Sequence, residues 1–143
     1  MKNLKEKASV LYQQGYSCSE AIVNAAYQCK LIDDIKDAEF LTQIASSFSG
    51  GMGESGCLCG AVAGAQIVLG LNFGRKDIDT PPKNIKSISK RYVEKFKEIR
   101  KATCCKVLTA GYDFNSPERR QNCVNIVKEV AELLENHIEE NAQ

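Results

Sequence analysis

The sequence has almost no net charge and no long hydrophobic run. Its 19 Lys and Arg residues offset 18 Asp and Glu residues, which leaves a net charge of +1. A balanced charge produces no overall field for nucleic acid or an anionic membrane, so neither partner is expected. No window approaches the roughly 18 consecutive apolar residues of a membrane span, and the first residues lack the apolar core of a signal peptide. These absences predict a cytoplasmic protein without membrane insertion.

Histidine is almost absent, and so is the motif that attaches c-type haem. The single histidine, His137, lies in an acidic segment with no second ligand at a suitable spacing. Zinc knuckles use C-x2-4-C pairs, often with histidines, whereas this chain has C-x-C, C-C and isolated cysteines. The chain also lacks C-x-x-C-H. A routine zinc site is therefore disfavoured, and no haem is expected.

Strand alternation of useful length is missing, and apolar residues recur at helical spacing instead. Ser17 followed by Glu20 is a capping box, so Ser17 is the expected N-cap of a helix that begins at Cys18. The third helix is expected from about Asp37 to Phe48 and the fourth from about Cys59 to Phe73. The predicted helices begin near Leu4, Cys18, Asp37, Cys59, Pro81 and Pro117. With no internal repeat or domain boundary, the sequence predicts one domain over residues 1–143, an all-α, compact bundle of about six helices.

Residues 50–64, GGMGESGCLCGAVAG, place four glycines and two cysteines before a run of small apolar residues. A phosphate loop needs Lys followed by Ser or Thr at the helix start, where this chain has Gly60 and Ala61, and a dinucleotide fold needs a preceding strand. No nucleotide is therefore expected. The glycines are interpreted as a turn that delivers Cys57 and Cys59 to a helix start, and small residues at 60, 61, 64 and 65 should let a neighbouring helix approach closely.

The seven cysteines need an explanation other than stability, because a chain of 143 residues can bury an adequate core without disulfides. An odd number of cysteines in a reducing compartment is not expected to form a disulfide framework, so thiol or metal chemistry is predicted. Cys29 lies about 16 Å from Cys18 along one helix at 1.5 Å per residue, and it is interpreted as a packing residue. Cys18 and Cys59 lie at helix starts, where the helix dipole is expected to lower a thiol pKa.

The order of cysteines and glycines resembles the C_GCAxxG_C_C family of redox-type cysteine proteins, which are of about this length. The matching positions are Cys18, Gly50-Gly51-Met52-Gly53 before Cys59-Gly60-Ala61 and Gly64, Cys105 followed by Leu108, and Cys123. The resemblance implies a helical protein with four functional cysteines and an inferred redox role. Members are often encoded near transporter genes, and the domain is similar to the cysteine-bearing part of split-Soret cytochromes, where an iron-sulfur centre is found. Cys57 and Cys104 are additional to the family pattern.

The leading hypothesis is that Cys18, Cys59, Cys105 and Cys123 converge and ligate an iron-sulfur cluster for electron transfer, with Cys57 and Cys104 as additional candidates. One alternative is a thiol-disulfide redox protein without metal, and another is a non-redox binding module stabilised by a metal. The expected partner is an unidentified redox protein, and the resemblance implies an association with a transporter. Wide apolar stripes on long helices also suggest a homodimer. No general base beside the thiols indicates a particular enzymatic reaction.

Overall fold

The computed structural model describes residues 3–32 and 37–142 and confirms the all-α prediction. Across these residues the chain forms six helices of nine residues or more, two single-turn segments and no strand. In chain order the elements are α1 (Leu4–Gln13), α2 (Cys18–Gln28), α3 (Ala38–Ser46), α4 (Ser49–Met52), α5 (Gly60–Phe73), α6 (Lys83–Arg100), α7 (Cys105–Leu108) and α8 (Pro117–Asn141). The bundle of about six helices is thus confirmed, with the single turns α4 and α7 added beside the cysteines.

The capping box at the start of α2 forms as predicted. The Glu20 backbone N–H donates to Ser17 Oγ at 3.3 Å, and the Ser17 N–H donates to Glu20 Oε1 at 2.9 Å. Because these two bonds satisfy backbone donors that the helix leaves free, α2 begins at Cys18. The cap therefore places the Cys18 side chain in the first turn of the helix.

The predicted start of the fifth long helix at Pro81 is wrong by two residues, since α6 begins at Lys83. Thr80 does not act as the N-cap. Its hydroxyl and its backbone N–H donate instead to Asp77 Oδ1, at 3.0 and 2.9 Å. Pro82 takes the N-cap position without a side-chain cap hydrogen bond, and α6 begins after the turn between Asp77 and Thr80.

Helix α5 lies in the middle of the bundle and packs against α2, α6 and α8. The small residues at its start do allow a close approach, as predicted. A Cβ atom at Gly64 would lie 2.8 Å from the backbone oxygen of Ser19 and 3.1 Å from Ile22 Cβ, both on α2. Within the described residues, no helix is both long enough and apolar enough to cross a membrane.

The glycine-rich stretch before α5 forms the predicted turn. Gly50, Gly51 and Gly53 have φ values of 68°, 75° and 67°, a region that favours glycine because it has no Cβ. A Cβ at Gly51 would also lie 2.8 Å from Cys105 Cβ. The turn therefore folds directly against the segment that carries Cys105.

Candidate four-cysteine site

Four free cysteines from four different elements line one small cavity of about 30 Å³. Cys18 is the first residue of α2, and Cys59 is the N-cap of α5. Cys105 is the first residue of α7, and Cys123 lies in the second turn of α8. The fold thus brings together the four thiols that the sequence pattern selects, although they are far apart along the chain.

The absence of a side chain at Gly60 makes room for one of these thiols. A Cβ atom at this position would lie only 2.5 Å from Cys18 Sγ and 3.0 Å from the backbone oxygen of Phe48. Both distances are shorter than atoms of this kind can approach without a shift. The glycine that follows Cys59 in the sequence therefore lets the Cys18 thiol approach the start of α5.

Cys57 and Cys104 lie outside the cavity and form a disulfide with a Cα–Cα distance of 4.1 Å. From the sequence, both are additional candidate ligands and no disulfide framework is expected, whereas the structure joins this one pair. The physical reason is tertiary. The two cysteines are 47 residues apart in sequence, but the fold brings their backbones side by side. The Cys57 side chain is exposed and the Cys104 side chain is half-buried.

Backbone hydrogen bonds reinforce this link on both sides of the disulfide. The Cys59 N–H donates to the backbone oxygen of Thr103 at 2.7 Å, and the Lys106 N–H donates to that of Gly56 at 2.9 Å. The loop before α5 and the loop before α7 are therefore held together by one covalent bond and two hydrogen bonds. This arrangement fixes the segments that carry Cys59 and Cys105 relative to each other.

The expectation that helix starts lower the thiol pKa values of Cys18 and Cys59 is wrong. Burial, together with the nearby thiols of Cys59, Cys123 and Cys105, raises the pKa of Cys18 to about 12. Burial also raises the pKa of Cys59, although the backbone amides of Val62 and Ala61 act in the opposite direction. Loss of hydration thus outweighs the helix terminus here. Protonated thiols are weak nucleophiles, and metal binding would have to displace their protons.

Cys123 has polar neighbours that the sequence analysis did not select. Burial raises the pKa of the Cys123 thiol, whereas the positive charge of Arg119 and the polar side chain of Tyr12 lower it. Tyr12 lies near the end of α1, and Arg119 lies in the first turn of α8. Arg119 lies four residues before Cys123 in the same helix, so their i, i+4 spacing is a sequence signal for this neighbour.

A wider pocket of about 460 Å³ adjoins the cysteine cavity. The two share Cys18, Cys105 and Cys123 as part of their walls. The wider pocket reaches the molecular surface, since its lining includes the exposed residues Lys106 and Phe114. A small molecule could therefore approach three of the four thiols from solvent.

Cys29 and His137 do not line the cavity. Cys29 packs against the hydrophobic core at the end of α2. His137 is buried, with Nε2 2.9 Å from the backbone oxygen of Ile88 and Nδ1 3.0 Å from Lys95 Nζ. In residues 3–32 and 37–142, no three His, Cys, Asp or Glu side chains are arranged as ligands of a single metal ion.

Comparison with known proteins gives one clear match. Residues 16–137 match a family model described as "Putative redox-active protein (C_GCAxxG_C_C)". Neither the curated proteins nor the solved structures yield a match. The matched segment covers most of the chain and contains all four cysteines of the cavity. The chain is a member of the C_GCAxxG_C_C family.

Proposed function

We propose that the protein transfers electrons through an iron-sulfur cluster held by Cys18, Cys59, Cys105 and Cys123. The observation that carries the proposal is that these four cysteines, all free, line a single cavity. Four cysteine thiolates are the usual ligand set of such clusters, and ligands on separate elements are compatible with this chemistry. When bound, the cluster would supply the site with one-electron redox chemistry.

The donor set fits a multi-iron centre better than a single ion. In the described residues the four thiols do not form a site for a single metal ion, whereas a cluster would distribute its thiolate ligands over more than one iron atom. The cavity among the thiols is also small, about 30 Å³, so loading the cluster requires the surrounding side chains to move apart. The wider pocket beside Cys18, Cys105 and Cys123 gives them space to do so.

The protein chain has a defined task at such a centre. The capping box holds the start of α2 and with it Cys18, and the tie between the two loops holds Cys59 and Cys105. Tyr12 and Arg119 line the same pocket as Cys123, and the polar surroundings of a thiolate are one means by which proteins set a cluster potential.

Anaerobic reconstitution with iron and sulfide tests the proposal. We expect the wild-type protein to take up iron and sulfide and to show cluster absorption and a paramagnetic resonance signal after one-electron reduction. Serine at any of the four cavity cysteines should reduce the uptake sharply, whereas the matched control Cys29→Ser should behave as wild type. A colourless wild-type protein without stoichiometric iron would contradict the proposal. Iron that cannot be reversibly reduced would favour the metal-stabilised binding module instead.

A second candidate function rests on the disulfide between Cys57 and Cys104. Cys57 is the exposed member of the pair, so the thiolate of an external dithiol can attack its sulfur. This attack breaks the bond to Cys104, which leaves as a thiolate, and forms a mixed disulfide with Cys57. The second thiol of the donor then closes its own disulfide. Two electrons thereby pass to Cys57 and Cys104, which become thiols. The protein would then act as a thiol-disulfide carrier, as the metal-free alternative requires, but with a different pair of cysteines from the four of the cavity.

Mass mapping of alkylated thiols tests this second function. Before reduction, we expect one disulfide between Cys57 and Cys104, with the other five cysteines alkylated. A dithiol should open this bond selectively, and an oxidised dithiol should close it again. Oxidation that instead pairs the cavity cysteines, or pairs cysteines at random, would contradict this function while leaving the cluster proposal to its own test.

A further inference from the structure

We propose that the pocket of about 460 Å³ beside the four cysteines binds a small organic anion. Cys18, Cys105 and Cys123 form part of its wall, so the bound molecule lies next to the redox centre. The inference rests on the proposed function in one respect: it names the class of molecule on which the redox centre acts. The binding itself depends on side chains that are not cysteine ligands.

Positive charge predominates around this pocket. Lys106 and Arg119 line it together with one carboxylate, that of Glu54. An adjoining cavity of about 170 Å³ shares Arg119 and adds Arg120. Three cations and one acidic side chain therefore line the two adjoining cavities. Such an excess favours an anionic ligand.

These cations are not neutralised within the described part of the chain. The ion pairs found there use Lys5, Lys95 and Arg100, and none includes Lys106, Arg119 or Arg120. Arg119 is the most informative of the three because it is half-buried. A guanidinium group has five N–H donors and prefers a carboxylate or phosphate partner when water is partly removed. The pocket side of Arg119 is where such a partner would lie.

The position of these arginines in the fold strengthens the argument. Arg119 and Arg120 lie in the first turn of α8, a helix of 25 residues. The start of a helix carries partial positive charge, so cations there repel the helix dipole. Glu118 lies in the same turn but is exposed and forms no ion pair with either arginine among the described contacts. A bound anion would relieve this repulsion.

Aromatic rings orient the guanidinium groups and provide an apolar surface. Arg119 Cζ lies 4.9 Å from the ring centroid of Phe114, and Arg120 Cζ lies 5.4 Å from that of Tyr12. Stacking uses the face of a guanidinium and leaves N–H groups at its edge free to donate. The rings and the size of the pocket indicate a ligand with an organic body, rather than a bare inorganic ion.

Calorimetric titration of the whole protein with benzoate tests the inference. Benzoate has a carboxylate and a planar apolar body, and benzamide is its neutral analogue of the same shape. We expect benzoate to bind saturably at one site and benzamide to bind much more weakly. Arg119→Gln should weaken benzoate binding by about tenfold or more, because a charge-assisted hydrogen bond is lost. The control Lys90→Gln, which removes an exposed cation of α6, should leave binding unchanged.

Several results would overturn the inference. They are the absence of saturable benzoate binding, equal binding of benzamide, or equal affinity in wild type and Arg119→Gln. If Arg119→Gln does not fold by far-ultraviolet circular dichroism, Lys106→Gln provides the second test, because Lys106 is exposed and lines the same pocket. That variant should also weaken benzoate binding, and an unchanged affinity would count against the site.

The same titrations before and after reconstitution with iron and sulfide separate this inference from the proposed function. Cluster uptake without benzoate binding would overturn the anion site and leave the cluster proposal standing. Benzoate binding without cluster uptake would do the reverse. Benzoate binding that disappears on cluster loading would show that the cluster fills the pocket, and that result also overturns the anion site.

Discussion

The packing of α5 against α2 can be tested with two matched substitutions in one helix. Gly64 and Gly70 both lie within α5, but their surroundings differ. A Cβ at Gly64 would lie 2.8 Å from the Ser19 backbone oxygen and 3.2 Å from Ser19 Cα, whereas a Cβ at Gly70 would have no heavy atom within 4 Å. We therefore compare Gly64→Ala with Gly70→Ala.

The magnitude follows from two opposing effects. Alanine in place of glycine within a helix stabilises by about 0.5–1 kcal/mol, and this gain applies at both positions. At Gly64 the added methyl group meets backbone that cannot rotate away, so α5 and α2 must separate, and overpacking of this kind costs about 1–3 kcal/mol. Gly70→Ala should therefore be more stable than wild type, and Gly64→Ala should be about 1–3 kcal/mol less stable than Gly70→Ala.

Urea unfolding followed by far-ultraviolet circular dichroism measures both free energies of unfolding. Because the helix-propensity gain is the same in both variants, their difference isolates the packing cost. The reasoning is refuted if Gly64→Ala is as stable as Gly70→Ala. Since Cys18 is carried by α2, separation of the two helices should also reduce iron uptake by Gly64→Ala and leave that of Gly70→Ala unchanged.

Three further predictions concern other parts of the fold. Replacing Cys57 and Cys104 together by serine should lower the free energy of unfolding by about 3–4 kcal/mol in non-reducing urea titrations, because the disulfide closes a loop of 47 residues. Burial lowers the pKa of His137, so the unfolded chain binds the extra proton first as pH falls below about 6.5. The free energy of unfolding should then decrease by up to about 1.4 kcal/mol per pH unit. The variant His137→Gln should lack this component in pH-dependent unfolding. Tyr92→Phe should cost about 0.5–1.5 kcal/mol in urea unfolding, because the buried hydroxyl donates to the Val130 carbonyl oxygen at 2.8 Å.

Each of these predictions has its own control. In excess dithiol, the wild-type protein should have the same free energy of unfolding as the serine double variant. If its free energy of unfolding is the same with and without dithiol, the assigned role of the disulfide is refuted. The pH argument does not hold if His137→Gln retains the wild-type slope between about pH 5 and 6.5. The hydroxyl of Tyr16, which is exposed, provides the comparison for Tyr92, and an equal cost for Tyr16→Phe would contradict the role of burial.

The helical architecture can be predicted from the sequence, because the signals for it are local. The capping box at Ser17 and Glu20 needs only residues three apart, and helical periodicity depends only on neighbours within a few turns. The small residues of α5 likewise indicate a close helix contact without naming the partner helix. The resemblance of the cysteine and glycine order to the C_GCAxxG_C_C family selects Cys18, Cys59, Cys105 and Cys123 as one group.

The environment of each cysteine depends on contacts between residues that are distant in sequence. Of the adjacent pair Cys104 and Cys105, the first is in a disulfide and the second lines the cavity, which depends on the position of the loop before α5. Burial raised the thiol pKa values that helix starts alone were expected to lower, because desolvation depends on neighbours distant in sequence. Tyr12 lies beside Cys123 because the fold packs α1 against α8, a contact that no local sequence pattern records, whereas Arg119 precedes Cys123 by one turn of the same helix.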